Sequence, residues 1–468
     1  VICGVVNYQP EKCFNGYTLF QARNQGAALI DMNGKVVHMW KGLNGNPNRL
    51  LPGGEIISSR GERDNEFAYQ DKIDLVQVDW DGNIKWIFNK NEYIEDPGFE
   101  PQWMARQHHD YQREGNPVGY YVPDMVSKTE NGNTLILVHQ NVRNNDISDK
   151  LLLDDCILEI DWEGNIVWKW CMSDHIREIG LNQLERSLLY TAPAMRGIQP
   201  EAVADWAHIN CMSLLGPNKW YDNGDERFHP DNIILDSRIL NTLMIVSKKT
   251  GKIVWKVGPD YSATRELRML GMIIGPHHTH MIPKGLPGAG NILLFDNGGW
   301  AGYGLPNPTA VKGDTFYKRD YSRVLEFDPI TLKIKWRFSP SEMDCKGPAF
   351  GHYFYSPLVS SAQRLPNGNT LITEGIGGRF LEVTEDCEIV WEYISPYSNG
   401  KMKNMVYRAY RYPYEWVPQL DVPQETPVKP IDSYNFRLAG AAGPEFENVS
   451  VSVEGTWSFE HGGAACVE

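Results

Sequence analysis

The sequence predicts an all-β fold: a six-bladed β-propeller of four-stranded blades with an irregular or β C-terminal extension. Two observations support this prediction. A hairpin pattern that ends in Trp occurs six times, and a further strand pattern precedes each copy. The six hairpins end at Trp40, Trp86, Trp168, Trp255, Trp336 and Trp391. Because all six copies keep the same internal order, the pattern favours a propeller over a β-sandwich with coincidental similarity.

Each hairpin alternates apolar and polar residues around a polar turn such as Asp81-Gly82 or Glu163-Gly164. In the later copies an additional strand comes first, and it reads "HDYQ", "HINCMSLL", "HTHMIP" and "SAQRLP". We therefore expect residues 1–400 to form the propeller. The Tyr- and Pro-rich stretch that follows predicts a C-terminal wrap with short strands over 401–468, packed on the propeller.

Composition excludes several classes of function. The 468 residues carry a formal net charge of −14, which argues against nucleic acid or an anionic membrane as a partner. No apolar run of about 18 residues occurs, so we expect no membrane span. The chain starts "VICGVV", without Met or a basic leader, which suggests a processed N-terminus and a periplasmic or secreted protein. The oligomeric state is left open.

The eight cysteines include one pair that can be argued from strand register. If Glu163-Gly164 forms a two-residue turn, Cys156 faces Cys171 across the hairpin, within disulfide reach. We therefore expect these two to be bonded, which supports export. Cys3 and Cys13 are a weaker candidate pair. Cys211 is expected to be a buried free thiol.

Histidines recur at the start of the predicted innermost strands. Repeat alignment places His109, His208 and His278 there in the third, fourth and fifth blades, so residues far apart in sequence should converge at one mouth of the axis. Asn210 and His280 lie two residues further on, facing the same side, and Arg238 ends the neighbouring strand. His108 is the alternative to His109, and Asp110 could orient one of these imidazoles. His277 is expected to point elsewhere. For any single histidine, a simple channel-lining role remains the competing explanation.

At these residues the sequence resembles the bacterial arylsulfate sulfotransferases that do not use PAPS. The resemblance is carried by "DWAHINCM" with "IILDSR", by "HHTH" with "ILLFDNG", and by "YSRVLEFD"; "HHD" and "AQRLPNGNTLI" also fit. It spans roughly residues 15 to 400. The pair of motifs around His208 and His278 is its specific part, whereas "LPNGNTL" alone is common in propellers.

The resemblance implies a six-bladed propeller that transfers a sulfuryl group from an aryl sulfate to a phenol by a ping-pong mechanism. It implies a covalent sulfohistidine at His278, with His208, Asn210 and Arg238 binding the sulfuryl group and His109, or His108, as the remaining active-site histidine. His280 is an additional imidazole that departs from the family pattern. No metal or diffusible cofactor is required.

Two other interpretations are kept open. The histidine cluster could hold a metal ion in a lyase or hydrolase, since converging imidazoles suit several transition metals; Arg238 in the same cluster argues against a cation. Alternatively, the propeller could be non-catalytic and bind a partner. Candidate aromatic walls for an aryl substrate are Trp206, Trp300, Tyr303 and Tyr355.

Overall fold

The computed structural model describes residues 3–63, 65, 67–193, 203–303, 316–343, 348–397 and 404–430. One compact unit spans Val1–Lys429, and Pro430–Glu468 form a second. The short strands predicted over 431–468 lie outside the described residues. The described chain is mainly antiparallel sheet with few, short helices, which confirms the all-β class.

The described residues form 28 strands. In chain order these are β1 (Gly4–Tyr8), β2 (Tyr17–Ala22), β3 (Gly26–Ile30), β4 (Val36–Lys41), β5 (Arg49–Leu51), β6 (Glu55–Arg63), β7 (Asp71–Val78), β8 (Ile84–Phe88), β9 (Glu92–Ile94), β10 (Gln102–Met104), β11 (Gln107–Arg113), β12 (Thr134–Val142), β13 (Leu152–Ile160), β14 (Ile166–Cys171), β15 (Ala204–Asp205), β16 (Ile209–Leu214), β17 (Ile233–Ser237), β18 (Thr242–Val246), β19 (Ile253–Val257), β20 (His277–Met281), β21 (Ile292–Asp296), β22 (Arg323–Phe327), β23 (Ile334–Phe338), β24 (Ser361–Arg364), β25 (Thr370–Glu374), β26 (Arg379–Val383), β27 (Ile389–Ile394) and β28 (Ala409–Tyr412).

Short helices connect some of these strands. The α-helices are α1 (Ile176–Ile179), α2 (Gln183–Thr191), α3 (Lys219–Asp222) and α4 (Arg265–Leu270). The 3-10 segments are Pro10–Lys12, Met172–His175, Glu226–Phe228, Pro348–Phe354, Gly375–Gly377 and Tyr414–Trp416. The longest, α2, starts with a capping box in which Asn182 and Glu185 exchange side chain to backbone hydrogen bonds.

The strands assemble into a propeller-like set of sheets. Three sheets have four strands in the orders β28-β2-β3-β4, β16-β17-β18-β19 and β20-β21-β22-β23. A five-stranded sheet runs β1-β27-β26-β25-β24. A nine-stranded sheet contains β5 to β8 and β11 to β14, with β15 at its side, and a single residue pair, Gln107 with Lys72, joins its two halves.

The hairpin turns are longer than the sequence pattern suggests. In the β13–β14 hairpin, Ile160 pairs with Ile166, so five residues form the loop instead of the expected two-residue Glu163-Gly164 turn. The Asp161 carboxylate accepts a hydrogen bond from the backbone N–H of Asn165, and Gly164 takes a φ of +89° that suits glycine. A bulge between Glu159 and Ile160 then shifts the register by one residue.

That shift restores the predicted pairing of the cysteines. Cys156 lies opposite Cys171 with their Cα atoms 4.1 Å apart, and the two are joined by a disulfide. The expected bond is therefore confirmed, although the turn used to derive it is wrong. Cys3 and Cys13 are not bonded to each other, so that weaker pairing is wrong; both are free thiols. Cys211 is a buried free thiol, as expected.

The six repeat tryptophans tie neighbouring repeats together. Each indole Nε1–H donates to a backbone carbonyl oxygen in the turn region of the next repeat. The pairs are Trp40 to Asp79 (3.0 Å), Trp86 to Trp162 (2.8 Å), Trp168 to Lys248 (3.1 Å), Trp255 to Pro329 (2.9 Å), Trp336 to Glu385 (2.9 Å) and Trp391 to Met32 (2.8 Å). The sixth bond returns to the first repeat, so the series is cyclic.

The first strands of the later sheets pack against one another at the centre. Strand β11 contacts β16, β16 contacts β20, β20 contacts β24, and β24 contacts β28. Strand β28 lies in the stretch predicted as a wrap from residue 401 onward, yet it pairs with β2 and forms the innermost strand of the first sheet. Chain segments from opposite ends of this unit thus share one sheet, which brings Tyr407–Tyr412 to the centre.

The spaces between sheets are filled by apolar clusters. The largest includes Tyr17, Leu293 and Tyr412, and a second includes Trp206, Ile209 and Leu235. Within the described residues, no helix is long and apolar enough to cross a membrane.

Candidate active site

Three of the predicted site residues share an unusual backbone conformation. His109, His208 and His278 have φ angles of +50°, +50° and +56°. Each lies within or beside the register shift at the start of β11, β16 or β20. Residues with a Cβ seldom adopt this left-handed conformation, which costs about 1–3 kcal/mol and clusters at functional sites. The repeat alignment therefore placed these three histidines correctly at the starts of central strands.

His109 and His208 meet, and His108 faces the other way. The ring centroids of His109 and His208 are 4.6 Å apart. His108 instead stacks on His139 at 3.5 Å, while its Nδ1 lies 2.8 Å from Nδ1 of His109. Of the two candidates in "HHD", His109 is the one beside His208. We call His108, His109, His139 and His208 the imidazole cluster.

A buried carboxylate orients His208. Nδ1 of His208 donates to Oδ2 of Asp205, 2.5 Å away, and both side chains are almost fully buried. Strand β15 positions Asp205 by pairing in parallel with β13. An imidazole held in this way keeps Nε2 as its free basic nitrogen and can carry a proton on it, because the carboxylate stabilises the imidazolium.

Arg238 lies beside His208. Its backbone N–H donates to the His208 carbonyl (3.1 Å), and its guanidinium donates to the Trp300 carbonyl (3.2 Å) and lies 5.8 Å from the Trp300 ring centroid. Burial lowers the pKa of Arg238 to about 10, a shift that Tyr69, Asp205 and Tyr355 oppose. Arg238 therefore remains cationic at neutral pH.

The aromatic candidates have separate environments. Trp300 lies against Arg238, and Tyr355 is close enough for its charge to influence that arginine. Trp206 is fully buried and donates its indole N–H to Asp154 (3.0 Å), and Tyr303 belongs to the same apolar cluster as Trp206. Trp206 and Tyr303 therefore act as core residues.

His278 and His280 lie in a second group, with Tyr120 and Tyr410. Nδ1 of His278 lies 2.9 Å from the Ala362 carbonyl oxygen, and its Nε2 lies 3.1 Å from the Tyr410 hydroxyl. Nε2 of His280 lies 2.9 Å from the Tyr120 hydroxyl, and the two imidazole centroids are 4.6 Å apart. We call these four residues the His–Tyr cluster.

The His–Tyr cluster favours neutral imidazoles. Burial lowers the pKa of His278 well below its ordinary value, and the charges of Arg408, His280 and Arg49 act in the same direction. Burial likewise lowers the pKa of His280 to about 4, although its hydrogen bond to the His278 carbonyl opposes the shift. If Nδ1 of His278 donates to Ala362, its Nε2 keeps a lone pair.

His277 bonds the segment that follows β21. Its Nδ1 lies 2.7 Å from Oδ1 of Asn297. Burial lowers its pKa well below the ordinary value, and the next largest cause is the charge of Arg238, with His208 and Arg408 also contributing. The charges of Arg238 and His208 therefore act on His277, while its own ring nitrogen bonds Asn297.

Arg408 links the two clusters. It donates to Oδ2 of Asp110 (2.9 Å) and to the Asn210 carbonyl (2.6 Å), and its charge acts on His278. Asn210 uses its side-chain NH₂ to bond the Pro276 carbonyl (2.9 Å), so it joins β16 to the start of β20. The predicted orienting role of Asp110 also changes, because its carboxylate pairs with Arg408 and Arg49.

Sequence reasoning missed several of these residues. Tyr410 and Arg408 lie in the segment taken as a wrap, although "AYRYP" repeats the A-x-R-x-P pattern of "AQRLP" in the preceding innermost strand. Asp205 lies within the motif "DWAH" and could have been found three residues before His208. For His139 and Asp155, which adjoin His108, no sequence signal stood out.

This chain is similar to one protein family and to several solved structures. The sequence matches the family model described as Arylsulfotransferase (ASST) over residues 109–412, more than half of the chain. No curated protein sequence matches it. Solved structures that are similar include a Bacteroides caccae protein of unknown function (12% identity, TM-score 0.44, covering 84% of this chain and 98% of that one). Others are virginiamycin B lyase from Staphylococcus aureus (11%, 0.31, 84% and 84%) and apo AztD from Citrobacter koseri (8%, 0.35, 85% and 97%).

The fold and the histidine-rich centre define a propeller-like enzyme, and the match to residues 109–412 settles its class. The chain belongs to the arylsulfotransferase family. It is an enzyme of the arylsulfotransferase kind.

Proposed function

We propose that this chain transfers a sulfuryl group from an aryl sulfate ester to a phenolic acceptor through a sulfohistidine intermediate. The observation that carries the proposal is the shared left-handed conformation of His109, His208 and His278 at the starts of three central strands. Strain of this kind is retained where the fold must present a side chain at a functional position.

His278 is our candidate nucleophile. In the tautomer that we propose, Nδ1–H donates to the Ala362 carbonyl, so that Nε2 offers a lone pair to the Tyr410 hydroxyl in the absence of substrate; the Ala362 N–H also faces Nδ1 at 3.3 Å. The lowered pKa keeps this imidazole neutral at pH 7. In the first step Nε2 attacks sulfur, the N–S bond forms, and the S–O bond to the aryl group breaks. In the second step the phenol oxygen attacks sulfur and the N–S bond breaks.

His208 is our candidate acid and base. The leaving aryl oxygen takes a proton from a His208 imidazolium, which the Asp205 carboxylate stabilises. The acceptor phenol returns a proton to His208 when it attacks, so the proton balance closes over one cycle. His109, whose ring lies 4.6 Å from that of His208, supplies a second donor.

Arg238 is our candidate for binding the sulfuryl oxygens. A guanidinium fixed by Trp300 offers a planar set of donors that suits a group with three oxygens, and it needs no reorganisation when negative charge develops. Asn210 and His280 have structural hydrogen bonds in the absence of substrate, and we assign both a supporting role in substrate binding, with His108 behind His109.

The direct test is covalent labelling. Protein incubated with 4-nitrophenyl sulfate in the absence of an acceptor should gain the mass of one sulfuryl group and lose it when phenol is added. The adduct should be missing from His278→Asn and should still form, more slowly, in His208→Asn. Cys387→Ala, a change at a half-exposed free thiol outside both clusters, is the matched control. Failure of wild-type protein to label with several aryl sulfates would reject the proposal.

We also infer six blades. The nine-stranded sheet contains two four-strand series, β5 to β8 and β11 to β14, joined by one residue pair. Counted separately, they bring the four-strand series to six, in agreement with the cyclic set of six Trp hydrogen bonds. Our domain proposal remains a propeller over 1–400 followed by a C-terminal wrap with short strands over 401–468, except that β28 completes the first blade. An experimental structure with another blade count would overturn the inference.

The disulfide supports a periplasmic or secreted location, because such bonds persist in oxidising compartments. Fractionation of cells that express the natural gene tests this proposal. Recovery of the protein only from the cytoplasm, with Cys156 and Cys171 reduced, would contradict it.

A further inference from the structure

Three adjacent strands bring nitrogen and oxygen ligands together behind His109. His108 lies on β11, His139 on β12 and Asp155 on β13, and His139 pairs directly with Asp155 across the sheet. All three side chains are completely buried. Their candidate ligand atoms lie within 4.8 Å of one another.

The facing atoms lack hydrogen bonds within the described part of the chain. Nε2 of His108, Nε2 of His139 and both carboxylate oxygens of Asp155 are buried without a partner. The backbone N–H groups of His208 and Ile209 act on Asp155 as weak donors that fall short of full hydrogen-bond geometry, and they lower its pKa against the larger effect of burial, which raises it. Each buried polar atom without a hydrogen bond lowers the stability of the fold by about 1–3 kcal/mol. Four such atoms facing one point indicate a missing binding partner.

The hydrogen bonds around His139 show which of its atoms faces this point. Nδ1 of His139 lies 2.6 Å from Oδ1 of Asp71, a carboxylate that also pairs with Arg106 (2.9 Å) and Arg63 (3.3 Å). Two arginines keep Asp71 ionised, so Nδ1 of His139 donates to it and Nε2 is the nitrogen left to face Asp155. This Nε2 lies 3.8 Å from Oδ1 of Asp155, too far for a hydrogen bond and close enough for one cation to contact both atoms.

The distances suit a small divalent ion, and the two nearly parallel imidazole rings must tilt apart for both Nε2 lone pairs to point at it. Nε2 of His108 lies 3.4 Å from Oδ1 of Asp155, and Nε2 of His139 lies 3.8 Å from the same oxygen. In a tetrahedral zinc site with bonds of about 2.0–2.1 Å, ligand atoms are separated by about 3.3 Å. The Asp71–His139 pair is the arrangement that commonly orients a metal-bound histidine.

We propose that His108, His139 and Asp155 form a buried divalent transition-metal site, with Zn²⁺ as the first candidate. Two imidazoles and a carboxylate are a borderline donor set that also accepts Co²⁺ or Fe²⁺. The enclosed position gives the ion a structural and positioning role. It joins three strands of one sheet near the single pair that links β11 to β7.

The ion also sets the state of His109, an inference that rests on the proposed function. A metal on Nε2 of His108 leaves the proton on Nδ1, which donates to Nδ1 of His109 at 2.8 Å. The Nε2 of His109 then carries hydrogen and serves as a donor. His109 and His208 thus differ in role, because Nδ1 of His109 accepts a hydrogen bond from the metal ligand His108, whereas Nδ1 of His208 donates one to Asp205.

The test measures metal directly, on full-length protein purified without a metal-affinity tag. Mass spectrometry for metals should find about one divalent ion per chain, and Asp155→Asn and His139→Gln should reduce it at least about tenfold. Two controls keep the ion: Asp236→Asn, a buried carboxylate that bonds Cys211, and His38→Gln, an imidazole stacked on Trp80.

A second measurement needs no variant. Chelator-treated wild type should bind one Co²⁺ with the visible absorption bands of a tetrahedral site, and Zn²⁺ should displace it. Folded wild type that holds no divalent ion and gives no Co²⁺ bands would overturn the proposal, as would unchanged metal content in both ligand variants. These readouts involve no sulfuryl transfer, so failure here is distinct from failure to label His278.

Discussion

Asp205→Asn tests whether His208 works as the acid and base. The carboxylate accepts the His208 Nδ1–H at 2.5 Å in a buried setting, so the change removes a charge-assisted hydrogen bond. Such bonds contribute about 1.5–3 kcal/mol, which corresponds to a loss of about 10- to 150-fold in transfer rate if the whole bond strength is used in the transition state. Asp205 is a positioning residue, because it acts through His208.

Leaving-group dependence separates this role from a merely structural one. Initial rates are measured with 4-nitrophenyl sulfate, whose leaving group needs little protonation, and with phenyl sulfate, whose leaving group needs more. Asp205→Asn should lower kcat far more with phenyl sulfate, because proton donation matters most for the poorer leaving group. Asp146→Asn, a change at an exposed carboxylate that pairs with Arg177 on the surface, should change both rates less than about threefold.

Two results would refute the reasoning. One is an equal loss with both substrates, which would indicate a general disturbance of the site. The other is a loss below about threefold with phenyl sulfate in a variant whose thermal unfolding matches that of wild type, because the hydrogen bond would then contribute little to the transition state.

Three further predictions follow from the same contacts. Arg238→Gln should lower kcat about 100-fold or more, with partial recovery in Arg238→Lys, as measured by aryl sulfate turnover; equal rates in all three would exclude Arg238 from sulfuryl binding. Replacing Cys156 and Cys171 together by Ala should lower the free energy of unfolding by about 3 kcal/mol in denaturant titration, given their separation of 15 residues, whereas Cys387→Ala should not. The His280 pKa of about 4 lies below its unfolded value, so the unfolded chain binds more protons between pH 6.5 and 4. Its contribution to stability is therefore complete above about pH 6.5 and falls by about 2.5 kcal/mol on reaching pH 4.5. His280→Asn should flatten that part of the stability profile, and an unchanged profile would contradict the assignment.

The repeat pattern could be recognised in the sequence because each tryptophan makes the same kind of local contact. Trp40 and its five counterparts each end a hairpin of alternating apolar and polar residues and hydrogen-bond the next repeat. The tryptophan and the alternating pattern therefore occur together in every repeat. The Cys156–Cys171 pairing was predicted correctly although the loop has five residues instead of two. The one-residue bulge next to the loop restores the register that a two-residue turn would give. Strand β28 was missed because its partner β2 lies almost 400 residues earlier. A local sequence pattern does not indicate a strand pair between such distant segments.

The site was only partly predictable, because side-chain direction depends on the bulges. A one-residue register shift reverses the face of a strand. The shift in β11 turns His108 onto His139, and the shift in β20 leaves His277 bonded to Asn297. Alternation along an ideal strand cannot anticipate such changes. The positions of His208 and Arg238 were easier to predict. Asp205 and His208 are only three residues apart, and Arg238 follows the strand that pairs directly with the His208 strand.

The central claim is a covalent sulfuryl group on His278, and peptide mapping of labelled protein tests it most directly. After incubation with 4-nitrophenyl sulfate and rapid quenching at alkaline pH, the added sulfuryl mass should lie on the peptide containing His277, His278 and His280. Fragmentation should place it on His278, and the His278→Asn protein should carry none. A sulfuryl group on His277 or His208, or undiminished labelling of His278→Asn, would contradict the account.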